Sequence, residues 1–129
     1  MKIPESTWSR KFGLSVKKMN SREISERYRL IADYHTHTRY SKGLLVYYHG
    51  KGTIEENVAA AAAKGLQEIG ITDHGPATLA AGTASYFRSL SYSPKKRFGI
   101  ELLFGIELNI LDANGHVDLN DELLEKLDY

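Results

Sequence analysis

Two hydrophobic periods alternate along the middle of the chain. Leu30, Ile31 and Ala32 form an apolar run of strand length, which passes into the alternation Asp33, His35, His37. Side chains on a strand alternate faces, so a strand here is expected to turn those three polar groups the same way. Further on, Thr53 and Glu56 have the spacing of a capping box, Ile54 and Val58 begin an apolar helix face, and Ala59 to Ala63 carry high helix propensity. Gly65 stands where a C-terminal cap glycine belongs. Leu66 to Thr72 reads as a second strand, running into Asp73, His74, Gly75 and Pro76. Strand, helix, strand with short connections predicts a βαβ unit, with parallel strands, a right-handed crossover and both C-terminal ends at one sheet edge. That topology brings His74 beside His35 and His37.

The flanking segments carry weaker patterns. Asn20 and Glu23 have capping-box spacing for a short helix through about Arg27, with Ile24 and Tyr28 on one face. Before it, Met1 to Lys18 reads as a loosely held arm whose Trp8 and Phe12 are free to dock elsewhere. The division is therefore an arm with a short helix over residues 1–28 and one domain over 29–129. Lys42 to Gly52 reads as a hairpin arm or an apolar loop, and a loop there folds His49 back over His35 and His37. Ser85 to Leu90 suits a helical turn or two. Ile100 to Ile110 predicts a strand with Gly105 inside it, delivering Glu107 near its C-terminal end. Asn114 and Gly115 mark a turn, which makes the adjacent His116 a surface residue. Asp121 to Leu127 predicts a closing helix with Leu123, Leu124 and Leu127 as its buried stripe.

Composition narrows the chemistry. A chain of 129 residues with 42% hydrophobic positions suffices for one modest core. Lys and Arg number 17 against 16 Asp and Glu, so no global charge demands a nucleic-acid or membrane partner. Arg88, Lys95, Lys96 and Arg97 make a local basic cluster, a solvated face in most proteins and otherwise a surface for an anionic substrate. No run approaches the roughly 20 apolar residues that span a bilayer, and no signal-peptide core is visible, so the expectation is a soluble cytoplasmic protein. With no cysteine, disulfides, thiolate zinc sites and a cysteine nucleophile are excluded, and any metal must use nitrogen and oxygen ligands.

Those ligands gather at one edge. Three predicted strand ends supply His35, His37, His74 and Glu107, with Asp33, Asp73 and His49 close by in sequence. Parallel sheets bind ligands at the carboxyl ends of their strands. Imidazoles suit transition metals, and a carboxylate among them is able to bridge two cations about 3.5–4 Å apart. Asp33 either ligates as well or holds a ring tautomer from behind, and Asp73 is likewise expected to stand behind the ligands.

The stretches YHTHTRYS, GITDHGP and FGIELNI, in that order, resemble the first three motifs of the PHP (polymerase and histidinol phosphatase) family, over about Ala32 to Asp128. The resemblance implies an α/β fold of parallel βαβ units, a partial, distorted TIM-like barrel, and two or three divalent metal ions, zinc, manganese or iron. By position it implies His35, His37, His74 and Glu107 as metal and catalytic residues, with Glu107 bridging. His49 matches a further histidine of the family only if Lys42 to Tyr48 is an insertion. The implied activity is metal-dependent hydrolysis of a small-molecule phosphate ester, histidinol phosphatase-like, by a metal-activated water. Arg39, or the cluster around Lys95, is the cation available for the phosphate on charge alone. Barrel amidohydrolases also carry H-x-H on a first strand, but the DHG and GIE motifs fit the phosphoesterase family better. Full-length members draw further histidines and an aspartate from later strands. The chain is thus expected to be the N-terminal portion of the barrel, a fragment or a chain completed by self-association over an open sheet edge. The alternative reading is a catalytically incomplete remnant that binds metal or serves as an association module.

Overall fold

The structure, a computed structural model, describes residues 19–41 and 50–129. The arm with Trp8 and Phe12, the apolar stretch Leu44 to Tyr48 and His49 lie outside the described residues.

Helix α1 (Ser21–Arg27) starts on the full capping box expected, the Asn20 side chain accepting from the Glu23 amide and the Glu23 carboxylate accepting from the Asn20 amide. It buries no residue, and Ile24 and Tyr28 are both exposed. Helix α2 (Ile54–Ala63) has the same box at Thr53 and Glu56. It ends on Gly65 at φ 76°, with Gly65 N–H donating to Ala62 and Leu66 N–H to Ala61, a Schellman closure that only glycine enters without strain. Three strands run parallel, β1 (Ala32–Thr36), β2 (Glu68–Ile71) and β4 (Ile100–Phe104). Between the last two come α3 (Ala84–Leu90) and a two-residue strand β3 (Lys96–Arg97), antiparallel to β4. The sheet order is β1-β2-β4-β3, with β1 at an edge, so this open α/β sheet is an arc of the parallel barrel expected rather than a closed one. A short helix α4 (Asp121–Leu124) follows.

Register explains the core. Ile69 lies beside Leu102 and Ile71 beside Phe104, so alternate residues of β2 and β4 present one apolar face. Val58 and Ala61 of α2, Phe87 and Leu90 of α3 and Leu123 of α4 cover that face, and all are essentially excluded from water. Each such large side chain contributes about 1.5–3 kcal/mol on burial, as an upper bound. The other face is filled beside Gly70 and Gly105 by Tyr129, whose hydroxyl donates to the Tyr34 carbonyl.

Three expectations are corrected. The strand expected over Ile100 to Ile110 ends at Phe104; beyond Gly105 the ladder survives only as an isolated parallel bridge between His74 and Glu107. The last helix closes at Leu124, three residues short of Leu127, which packs against the core from a turn. The simple alternation of β1 also fails. Asp33 pairs with Ile69 but Thr36, not His35, pairs with Ile71, so β1 holds one extra residue between them and its side chains change face there. The basic cluster is largely spent on structure, since Lys95 pairs with Asp128, Arg97 with Glu55, and Lys96 approaches Glu101 at 3.9 Å. No helix among the described residues is long and apolar enough to cross a membrane.

Candidate metal centre

Because β1, β2 and β4 are parallel, the residues just beyond their ends share one rim. The backbone ladder continues there, with Thr72 N–H donating to Thr36, Gly105 N–H to Ile71 and Glu107 N–H to Asp73. His35 near the end of β1, His37 just past it, His74 past β2 and Glu107 past β4 are thereby brought together. Glu107 Oε2 lies 3.2 Å from His35 Nε2, 3.3 Å from His37 Nε2 and 3.5 Å from His74 Nδ1. The two ring nitrogens of His35 and His37 are 3.1 Å apart, and the His37 and His74 rings stack at 4.6 Å. His35, His37 and Glu107 each offer a donor atom within 4.8 Å of the others.

This donor set fits a divalent cation. Three imidazoles and one carboxylate converge, with no thiolate to restrict the choice to a soft ion. Burial, and after it the neighbouring His74 ring, holds the His37 pKa below the ordinary imidazole value against the pull of Glu107, which favours the neutral, ligating form. Exposure is lopsided: His37 and His74 side chains are 12% and 15% exposed, His35 and Glu107 66% and 42%. The centre therefore opens to solvent on the side of His35 and Glu107.

The other predicted site residues fall elsewhere. Asp33 stands outside the cluster. Its carboxylate accepts from the His35 backbone amide at 3.1 Å and not from a ring, and it lines a groove with His37, with Asn57 and Ala60 of α2, and with Lys64 just past that helix. Arg39 lays its guanidinium 5.7 Å from the centroid of the Tyr40 ring. His116 is a surface residue, as expected, closing a turn onto Asp112 at 2.6 Å. Asp73 is fully buried directly beneath the rim.

Around Asp73 lies a network that the sequence did not single out. Its carboxylate accepts from the Thr38 amide at 2.6 Å, the Thr38 hydroxyl at 2.7 Å, the Ser41 hydroxyl at 2.6 Å and the Tyr86 hydroxyl. Burial, then the charge of Asp73, pushes the Tyr86 hydroxyl well above the usual tyrosine range, so it remains a donor. Two further ties hold the backbone. Asn57 of α2 donates to the His37 carbonyl at 2.9 Å, and Gly50 packs so closely that a Cβ there would lie 2.6 Å from that carbonyl oxygen and nearer still to that of Thr38. Asp118 binds the loop after His74 to the segment after Glu107, accepting from Ala77 N–H at 2.8 Å, Asn109 N–H at 3.0 Å and Asn109 Nδ2 at 2.7 Å. Small polar residues spaced between the ligands were the only available signal, and most such residues are turn formers.

Comparison with known proteins agrees with the geometry. The model of the PHP domain matches residues 33–129. A probable phosphatase of Thermoanaerobacter sp. is 45% identical over 100 residues, covering 78% of this chain and 38% of that protein. Probable phosphatases of Clostridium botulinum and Acetivibrio thermocellus are 39% and 36% identical over similar spans, each 78% of this chain and 39% of the relative. The chain thus spans under two fifths of the length of these relatives.

Proposed function

The chain belongs to the PHP domain family, and from that premise we propose that it carries part of a metal-dependent phosphoesterase centre built on His35, His37, His74 and Glu107. The observation that supports this most directly is the approach of one carboxylate oxygen, Glu107 Oε2, to three imidazole nitrogens within 3.5 Å. A divalent cation, when bound, supplies Lewis acidity that lowers the pKa of water towards ~7 and neutralises phosphoryl oxygens. The protein's part is positioning. Half-buried His37 and His74 form the floor, and exposed His35 with the more open side of Glu107 leaves an approach for a small phosphate ester. Zinc, manganese and iron all suit nitrogen and oxygen donors. The described residues contribute a single group of three with donor atoms within 4.8 Å, enough for one ion with His74 alongside. A second or third ion would draw on further ligands, His49 among the candidates.

A second reading, a metal-binding remnant without turnover, keeps the same ligands and differs only in lacking catalysis. Metal analysis combined with p-nitrophenyl phosphate hydrolysis in the presence of Mn²⁺ or Zn²⁺ separates the two. Bound metal with turnover supports the phosphoesterase, and bound metal without turnover supports the remnant. A protein that takes up neither ion overturns both.

A further inference from the structure

We propose that Ser41 is a positioning residue whose single hydroxyl fixes which ring nitrogen of His37 faces Glu107 and at the same time anchors the backbone of His74. Ser41 is fully buried, 32 residues from Asp73 in sequence, and its Oγ meets three groups. It lies 2.6 Å from Asp73 Oδ1, 2.9 Å from His74 N and 3.0 Å from His37 Nδ1.

A hydroxyl has one hydrogen to give and two lone pairs to receive. The Asp73 carboxylate already collects the Thr38 amide and hydroxyl and the Tyr86 hydroxyl, all donors, so the Ser41 hydrogen goes to Asp73. The His74 amide is only able to donate, and it takes one lone pair. What remains for His37 Nδ1 is the second lone pair, and that match requires a hydrogen on Nδ1. The opposite arrangement would turn the Ser41 hydrogen to His37 and set two bare oxygens 2.6 Å apart in a site sealed from water, where an unmade hydrogen bond costs most. With its hydrogen on Nδ1, His37 presents the Nε2 lone pair on the side of His35 Nε2 and Glu107 Oε2. That is the tautomer in which the ring serves as a ligand through Nε2, and outer partners of this kind are what hold ligating histidines in place. Asp73 thus acts on His37 through Ser41 rather than by touching it.

The tautomer stands on hydrogen-bond geometry alone, while its consequence for metal affinity rests on the metal reading above. Histidine-selective ¹⁵N labelling and long-range ¹H–¹⁵N spectra of the metal-free protein in mildly alkaline buffer, with His37 assigned by comparison with His37→Gln, read the tautomer directly. The expected wild-type pattern has the hydrogen on Nδ1. In Ser41→Ala the His37 signals move towards the Nε2–H form and Zn²⁺ affinity, measured by competition with a chromophoric chelator, falls about 10–100-fold. Ser41→Thr, which keeps the hydroxyl, restores both. A wild-type His37 carrying its hydrogen on Nε2 overturns the proposal, as does a folded Ser41→Ala protein with unchanged tautomer and Zn²⁺ affinity. If Ser41→Ala does not fold, the wild-type spectrum and the Thr variant still decide. An Nδ1–H tautomer in a protein that binds no Zn²⁺ removes the metal reading and leaves the role of Ser41 in place.

Discussion

His74 and Glu107 form a lone parallel β-bridge beyond the ends of β2 and β4, and the same pairing sets His74 Nδ1 and Glu107 Oε2 3.5 Å apart. Backbone pairing and side-chain approach are one constraint, so the acid is already placed on the rings by the fold. Glu107→Gln keeps the shape and the bridge and removes the charge. Its far-UV circular dichroism should match wild type, while Zn²⁺ affinity by chelator competition falls by more than the roughly 10–100-fold typical of an outer partner.

Binding to the native state alone must also appear as stability. At about 100 times Kd a divalent ion adds ~2.7 kcal/mol, a rise of several degrees in Tm. Differential scanning fluorimetry with Zn²⁺ or Mn²⁺ should show that rise, EDTA should abolish it, and Glu107→Gln should show little of it. Equal shifts in the variant and wild type would place the ion elsewhere.

Gly50 seats the chain against the carbonyls of His37 and Thr38. Gly50→Ala drives a methyl group into backbone that cannot rotate away, at a cost of about 1–3 kcal/mol in urea unfolding. Because the displaced atoms belong to the residue bearing a ligand ring, Zn²⁺ affinity should fall with it, which an equally destabilising change in the outer core would not cause.

Asp118 predicts a pH response. Burial alone would raise its pKa, but the hydrogen bonds from Asn109 and Ala77 outweigh it and hold the carboxyl below its ordinary 3.8. A carboxylate depressed on folding stabilises the native state above the unfolded value, and that contribution is lost as pH falls through the lower, folded value. Asp118→Ala should cost about 1–3 kcal/mol at neutral pH, since it strands three donors. Its penalty should shrink below pH 3.8, so the wild-type and variant stability curves converge in acid.

What was readable in the sequence was local. The capping boxes at Asn20 and Thr53 and the cap at Gly65 are chemistry within one turn, and all three stand as expected. The parallel βαβ order followed from connection length, and with it the arrival of His74 beside His35 and His37. What escaped was set by tertiary context. One additional residue in β1 has no sequence signature, yet it breaks the simple alternation expected of Asp33, His35 and His37. The bonds from Asp73 to Thr38 and Ser41 span more than thirty residues, and nothing in a serine's neighbours announces such a partner. Lys95 and Arg97 looked available for an anion only because Asp128 and Glu55, their partners, lie far along the chain.

The turn carrying Thr38 has a last consequence. Ser41 N–H donates to the Thr38 carbonyl, Gly50 sits against that same carbonyl, and Arg39 N–H donates to Gly52. Departure of the polypeptide at Ser41 and its return at Gly50 are therefore stapled to a common point beside the backbone of His37. A substitution that loosens either tie therefore slackens the backbone that carries the His37 ring, although it touches none of the donor atoms.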